Sequence, residues 1–244
     1  MNSGYYAACA GLKAQTQALE LISNNVANLN TTGFRGQQTT FQSLLASSSA
    51  GVTTPLNQAV NDFNVLGDSR IDLSAGNLES TGNPLDLAIE GSGFFAVQTK
   101  AGTVYTRNGN FQASADGHLT TSAGDLVLGE NGPLTIPSGE VSFSPDGTLS
   151  SGGAVAGKLR MVEFAPGSSP SPLGNSYYSA PAADTRPAAT SYVRQGTLES
   201  SNVGAVSAVV QLITVQRRAE MLERAMSAFY ANFDHIAAND LPHV

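Results

Sequence analysis

The chain has 244 residues, of which only 13% are charged, a formal net charge of −7 and a single cysteine, Cys9. That length can bury a sizeable core in one or two domains, and the sparse acidic charge argues against nucleic acid as the main partner, because phosphate binding needs clustered Lys and Arg. One cysteine excludes an internal disulfide framework and a cysteine-based zinc site; its place beside an apolar stripe makes it a small packing residue.

Residues 4–29 predict the first helix: the interior has no proline, and Ala7, Ala8, Ala10, Leu12, Ala14, Ala18, Leu19 and Glu20 favour helix. Tyr5, Ala8, Leu12, Gln15, Leu19, Ile22, Val26 and Leu29 recur with alternating steps of three and four, the narrow stripe of a coiled-coil seam. The run Asn28 to Gly33 stops the helix, since Asn and Thr compete for backbone hydrogen bonds and Gly33 can take a positive φ. From 37 to 83 the composition changes to an extended linker with a small-residue core at Ser47 to Pro55, and Ile71 and Leu73 give strand character around Ser69 to Leu73.

Residues 84–164 predict an antiparallel β domain, a sandwich or barrel with turns every 8 to 12 residues. Leu85, Leu87 and Ile89 alternate with Asp86 and Ala88, and Phe94 to Val97 follow a β-turn at Gly91-Ser92-Gly93. Asn108-Gly109 reads as a hairpin turn between Thr103–Thr106 and Asn110–Gln112. A weak repeat sets Phe111, Asp116-Gly117 and Leu119 against Phe143, Asp146-Gly147 and Leu149, with Asp-Gly suiting the two left-handed positions of a tight turn. Leu159 to Phe164 predicts one more strand with alternating faces, and residues 165–194 a proline-rich return linker that is loop until about 190.

The last helix starts after a cap at Ser200, Ser201 or Asn202. Ala205, Ala208, Leu212, Val215, Ala219, Leu222, Met226, Phe229, Phe233 and Ile236 repeat the seam spacing. The expected fold is α+β: paired N- and C-terminal coiled-coil-like helices, residues 1–36 and 195–244, enclosing an inserted antiparallel all-β domain.

Catalytic motifs fare poorly. Gly91-Ser92-Gly93-Phe94-Phe95-Ala96 fits the relaxed dinucleotide fingerprint, but the glycines lead into a strand where a helix must hold the pyrophosphate. His118, His235 and His243 have no partner at zinc spacing, no Gly-x-Ser-x-Gly elbow exists, and nothing selects a carboxylate pair. No catalytic residue, cofactor or metal is assigned, and a hydrolase built on the β domain is the weaker alternative. No stretch reaches the roughly 18 apolar residues of a membrane span. The N-terminus has no basic region, apolar core and small-residue cleavage site, so no cleaved secretory signal is expected. That absence also counts against a second alternative, an envelope adhesin with a helical stalk.

Ser23-Asn24-Asn25-Val26-Ala27-Asn28-Leu29-Asn30-Thr31-Thr32-Gly33-Phe34 resembles the N-terminal signature of the bacterial flagellar rod and hook proteins. The resemblance continues at Asn83 to Phe95, at Tyr105-Thr106-Arg107-Asn108-Gly109-Asn110-Phe111, at Gln195 to Val203 and at Leu212 to Arg218. Within that family a single modest β domain resembles the rod rather than the hook proteins. Ala219, where distal-rod members usually carry an aromatic after Gln-Arg-x, is closer to the proximal-rod type, with the distal-rod type as runner-up.

The resemblance implies a structural subunit of the flagellar basal-body rod, exported unfolded by the flagellar type III apparatus. Its implied partners are copies of itself and other axial proteins, and its implied role is to transmit torque from motor to hook. A repeated head-to-tail contact that does not close gives such a filament. The implied subunit interface comprises Leu12, Leu19, Ile22, Asn24, Asn25, Val26, Asn28, Leu29, Asn30 and Gly33 at one end. At the other it comprises Leu212, Val215, Leu222, Met226, Phe229, Phe233 and Ile236. The asparagines have a second reading, as caps of one helix within the chain. The terminal helices are expected to be poorly ordered until assembly.

Overall fold

The computed structural model describes residues 2–42, 65–137 and 139–240. Among the described residues the chain has two α-helices and a large antiparallel β portion, an α+β architecture. It divides into two compact units, one of Met1–Val26, Gln37–Arg70 and Ala205–Val244, the other of Ala27–Gly36 and Ile71–Gly204. The small-residue linker at Ser47 to Pro55 lies outside the described residues.

The first unit holds helix α1 (Asn2–Ala27), helix α2 (Ala205–Asp240) and a two-stranded sheet of Gln37–Gln42 with Val65–Ile71. On α2 the sequence stripe matches the burial: Ala208 and Val215 are buried, and Leu212, Ala219, Leu222 and Met226 are half-buried. On α1 the line of greatest burial is Gly11, Ala14, Ala18 and Asn25, one position before the expected seam. Leu12, Leu19, Ile22 and Val26 flank it half-buried, and Cys9 is half-buried too. The buried line carries the small side chains of Gly11, Ala14 and Ala18, and the larger residues take the flanks. Neither described helix is long and apolar enough to cross a membrane.

The second unit is built on a ten-stranded antiparallel sheet that curls into a half-barrel. At its centre Phe94–Thr99 pairs along one edge with Gly102–Thr106; the other edge is shared by Leu126–Gly129 and Met161–Phe164. Both faces of this strand are covered. Phe95 and Val127 join a core with Leu87, Phe111, Leu119, Phe143, Leu149, Leu159 and Val193. Phe94 and Ala96 point the other way, into a cluster with Tyr105, Leu128, Val162, Phe164 and Tyr178. Burial on two sides explains why this strand reads as a continuous apolar run. Met161–Phe164 alternates half-buried and buried, as expected.

The repeat is a pair of like hairpins. Phe111–Ala113 pairs with Leu119–Thr121, Val141–Phe143 pairs with Thr148–Ser151, and Phe111, Leu119, Phe143 and Leu149 meet in one core. The turn type differs from the expectation of two left-handed positions. Gly117 and Gly147 have φ of 76° and 84°, whereas Asp116 and Asp146 do not enter the positive-φ region. Gly117 N–H donates to Ser114 O and Gly147 N–H to Ser144 O, each at 2.9 Å, a type I turn followed by a glycine bulge.

Two further local expectations are corrected. Asn108-Gly109 is not a hairpin turn, because Gly102–Thr106 pairs with Phe94–Thr99 while Phe111–Ala113 pairs with Leu119–Thr121. Gly109 instead lets two backbones touch: a Cβ there would lie 1.6 Å from Leu87 O. Gly91-Ser92-Gly93 is a bend in the chain. It carries the chain from Leu87–Glu90, paired with Tyr192–Gln195, into the large sheet, and a Cβ on either glycine would press on Ser191. Residues 165–190, expected as loop, contribute strands Ser171–Gly174, Tyr177–Ser179 and Thr185–Pro187 to that sheet.

Candidate functional site

The stretch that leaves α1 is held almost amide by amide. Asn28 to Asn30 form a turn, and Thr31 Oγ1 donates to Asn28 Oδ1 at 3.1 Å. Four successive backbone N–H groups then find acceptors. Gly33 donates to Glu199 O (2.7 Å), Phe34 to Thr31 O (3.2 Å), Arg35 to the Tyr178 hydroxyl (3.0 Å) and Gly36 to Asn202 Oδ1 (2.7 Å). Gly33 sits at φ 66°, and a Cβ there would lie 2.3 Å from the Arg107 carbonyl carbon and the Asn108 nitrogen. Only glycine meets both demands. In the helical unit, Asn25 exchanges two hydrogen bonds with Gln37, Nδ2 to O at 2.8 Å and N–H to Oδ1 at 2.9 Å.

Beneath this stretch lies a buried ionic cluster. Arg35 Nη2 stands 2.7 Å from Glu199 Oε1, Arg107 Nη1 stands 3.1 Å from Glu199 Oε2, and the three side chains are 0–1% exposed. Glu199 also accepts the Gly76 N–H on Oε1 at 2.8 Å. Arg107 is well supplied: Nη1 donates to Ile89 O at 2.9 Å, Nη2 donates to Gly91 O, and its guanidinium lies 4.8 Å from the Phe94 ring centroid. Arg107 leaves only Nε without a hydrogen bond, whereas Arg35 makes none through Nε, Nη1 or Nη2 and is tied to Glu199 by the ionic contact alone. Two cations thus share one carboxylate, leaving an excess positive charge in a dry site. Burial lowers the Arg107 pKa to about 10, with Glu199 opposing the shift and Arg35 adding to it. Burial likewise raises the Tyr178 phenol above its ordinary value, against the effect of Arg35.

A second polar knot adjoins it in the same unit. Buried Asp86 accepts hydrogen bonds from Thr81 Oγ1 (2.7 Å), Asn83 Nδ2 (3.1 Å) and Asn110 Nδ2 (3.1 Å), and its carbonyl accepts Gly196 N–H (2.8 Å). Asn202 Nδ2 reaches Asp72 O and Ser74 O, and Ser200 Oγ reaches Asn77 O. These contacts occupy two of the three side chains expected to cap α2; the third, Ser201 Oγ, accepts Val203 N–H ahead of the helix.

Of the sequence-predicted interface residues, Asn25, Gly33 and Val215 are buried, Asn24 and Asn30 exposed, and Leu12, Leu19, Ile22, Val26, Asn28, Leu29, Leu212, Leu222 and Met226 half-buried. The side chains of Phe229, Phe233 and Ile236 lie outside the described residues. Arg35, Arg107 and Glu199 escaped the sequence reading as site residues. Their signal was a lone charge inside two motif stretches, or directly after a third, otherwise made of small, polar and apolar residues. The cluster converges titratable groups yet is sealed from solvent, which is the geometry of a structural tie and not of a substrate site. Among the described residues, no group of three His, Cys, Asp or Glu could hold a metal.

Comparison with known proteins agrees with this convergence of motifs. Residues 6–35 match the family described as flagella basal body rod protein. Residues 88–151 match the flagellar hook protein FlgE/F/G D1 domain, and 194–237 the flagellar basal body rod FlgEFG protein C-terminal family. The flagellar basal-body rod protein FlgG of Agrobacterium fabrum is 34% identical, covering 90% of this chain and 92% of that protein. FlgF of Mesorhizobium japonicum is 33% identical over 90% of each chain, and FlgF of Escherichia coli is 32% identical over 93% of this chain and 94% of its own. The chain belongs to the flagellar basal-body rod protein family whose members carry the names FlgF and FlgG.

Proposed function

We propose that this chain is a structural, non-catalytic subunit of the bacterial flagellar basal-body rod that self-assembles through α1 and α2 into the axial tube transmitting torque to the hook. Family membership supports the rod assignment. The observation that carries the assembly mode is on α2. Opposite the stripe of Ala208, Leu212 and Val215, the side chains of Val206, Val209, Val210 and Ile213 stand exposed, Val206 by 80%. A helix with apolar residues on opposite faces needs more than one covering surface, and copies in a non-closing array supply them. Leu12, Leu19, Ile22, Val26 and Leu29 on α1, with the seam residues of α2, take the remaining contacts, coiled-coil fashion.

In this reading the subunit leaves the cell interior through the flagellar type III apparatus, and its partners are other axial proteins and copies of itself. Gln216-Arg217-Arg218-Ala219, without an aromatic at 219, favours the proximal rod position, and the distal position is the second reading. The test is a Val209→Asp/Ile213→Asp double variant expressed in place of the wild-type chain. Purified basal bodies should lack the variant and swimming should be lost, while its β unit unfolds at the wild-type temperature. Normal incorporation would remove α2 from the assembly. Separate complementation of strains lacking the proximal or the distal rod protein decides the position.

A further inference from the structure

The β unit is closed by its last dozen residues. Tyr192–Gln195 pairs residue for residue with Leu87–Glu90, and Val193 enters the main core. Ser191 Oγ accepts Gly93 N–H, and Gln195 bridges Pro84 O, Val141 O and Phe143 N–H. Thr197–Glu199 then pairs with Leu78–Ser80 and delivers the carboxylate to Arg35 and Arg107. Up to residue 190, every other strand of the unit is already in the chain, but two guanidiniums would enter a nearly dry site with no anion. Breaking such a cluster leaves an uncompensated buried charge, one of the strongly destabilising single-site defects.

We propose that Glu199 is a folding lock: the β unit does not close until the chain has delivered residue 199, so a partly made chain stays unfolded. Isolated strand pairs of the incomplete unit gain little, because the long-range contacts that reward them come last. The lock suits the export of an unfolded chain, which belongs to the rod reading, but it rests on the buried cluster alone.

The test is a tension measurement on ribosome-bound nascent chains of increasing length, with an arrest peptide reporting the pull of folding. In the wild-type chain the pull should appear once residue 199 has cleared the exit tunnel and not when the chain outside ends at 190. A full pull at 190 would overturn the lock. Glu199→Gln should cut the pull at full emergence by at least about tenfold in arrest release, whereas Leu198→Ala, on the half-buried neighbour, should keep it in place. An unchanged profile for Glu199→Gln would equally overturn the proposal. No rod is present in this assay, so its failure leaves the rod reading untouched, and failed incorporation leaves the lock untouched.

Discussion

Glu199→Gln keeps the shape of the side chain and removes only its charge. The amide can still accept the Gly76 N–H, but Arg35 and Arg107 then repel one another with no anion between them. Removing one partner of a buried ion pair costs about 3–5 kcal/mol, a large part of the 5–15 kcal/mol that holds a typical domain. For a unit of this size the thermal midpoint should fall by about 10–15 °C. Arg35→Met is expected to behave quite differently. Arg35 gives its side chain to Glu199 alone, and its loss leaves a one-to-one Glu199–Arg107 pair, so the change should stay within about 1 kcal/mol. Arg107→Met should cost about 3 kcal/mol or more, because Ile89 O and Gly91 O lose their donor. Thermal melts of the β unit followed by near-ultraviolet circular dichroism separate the three. If Arg35→Met proves as damaging as Glu199→Gln, the assignment of Arg35 as the surplus cation is refuted.

Other consequences can be checked at single residues. Gly33→Ala should destabilise by at least about 2 kcal/mol in denaturant titrations, from strain at positive φ plus the collision with Arg107. Gly82→Ala, at φ 74° with nothing near its Cβ, should cost only about 1 kcal/mol. Burial raises the Tyr178 phenol above 10, so the stability from keeping it neutral is complete below pH 10 and is lost as pH rises through the folded value. Tyr178→Phe should therefore remove a late-titrating phenol from the alkaline absorbance curve; loss of an ordinary one near 10 would contradict the burial argument. In hydrogen exchange on the free chain, the amides of Gly33, Phe34, Arg35 and Gly36 should be protected with the β unit, even if α1 and α2 exchange fast before assembly. Fast exchange at those four amides would show that the stretch is not docked.

Much of the fold was legible because it rests on periodicity. The seam of α2 shows in the spacing of Ala208, Leu212 and Val215, and the two like hairpins show in Phe111 to Leu119 and Phe143 to Leu149. Strands Tyr177–Ser179 and Thr185–Pro187 were not legible. They are short, flanked by prolines, and owe their conformation to neighbours in the sheet. The stripe of α1 lies one position off, since periodicity marks the large apolar residues while the greatest burial falls on Gly11, Ala14 and Ala18.

The site was hidden for a different reason. Asn108-Gly109 carries the dipeptide of a hairpin turn, yet its glycine serves contact with Leu87 O; a glycine chosen for φ and one chosen for space look the same in sequence. The charges of Arg35, Arg107 and Glu199 likewise gave no sign of their meeting, because sequence spacing says nothing about which distant segments come together. What distinguished them was scarcity. In a chain with 13% charged residues, a single Arg or Glu inside a motif of small and apolar residues needs a partner if that motif is buried. The N-terminal motif therefore does two jobs: it ends a helix through Asn28 to Asn30, and through Gly33 and Arg35 it seats the chain against the residues that precede α2.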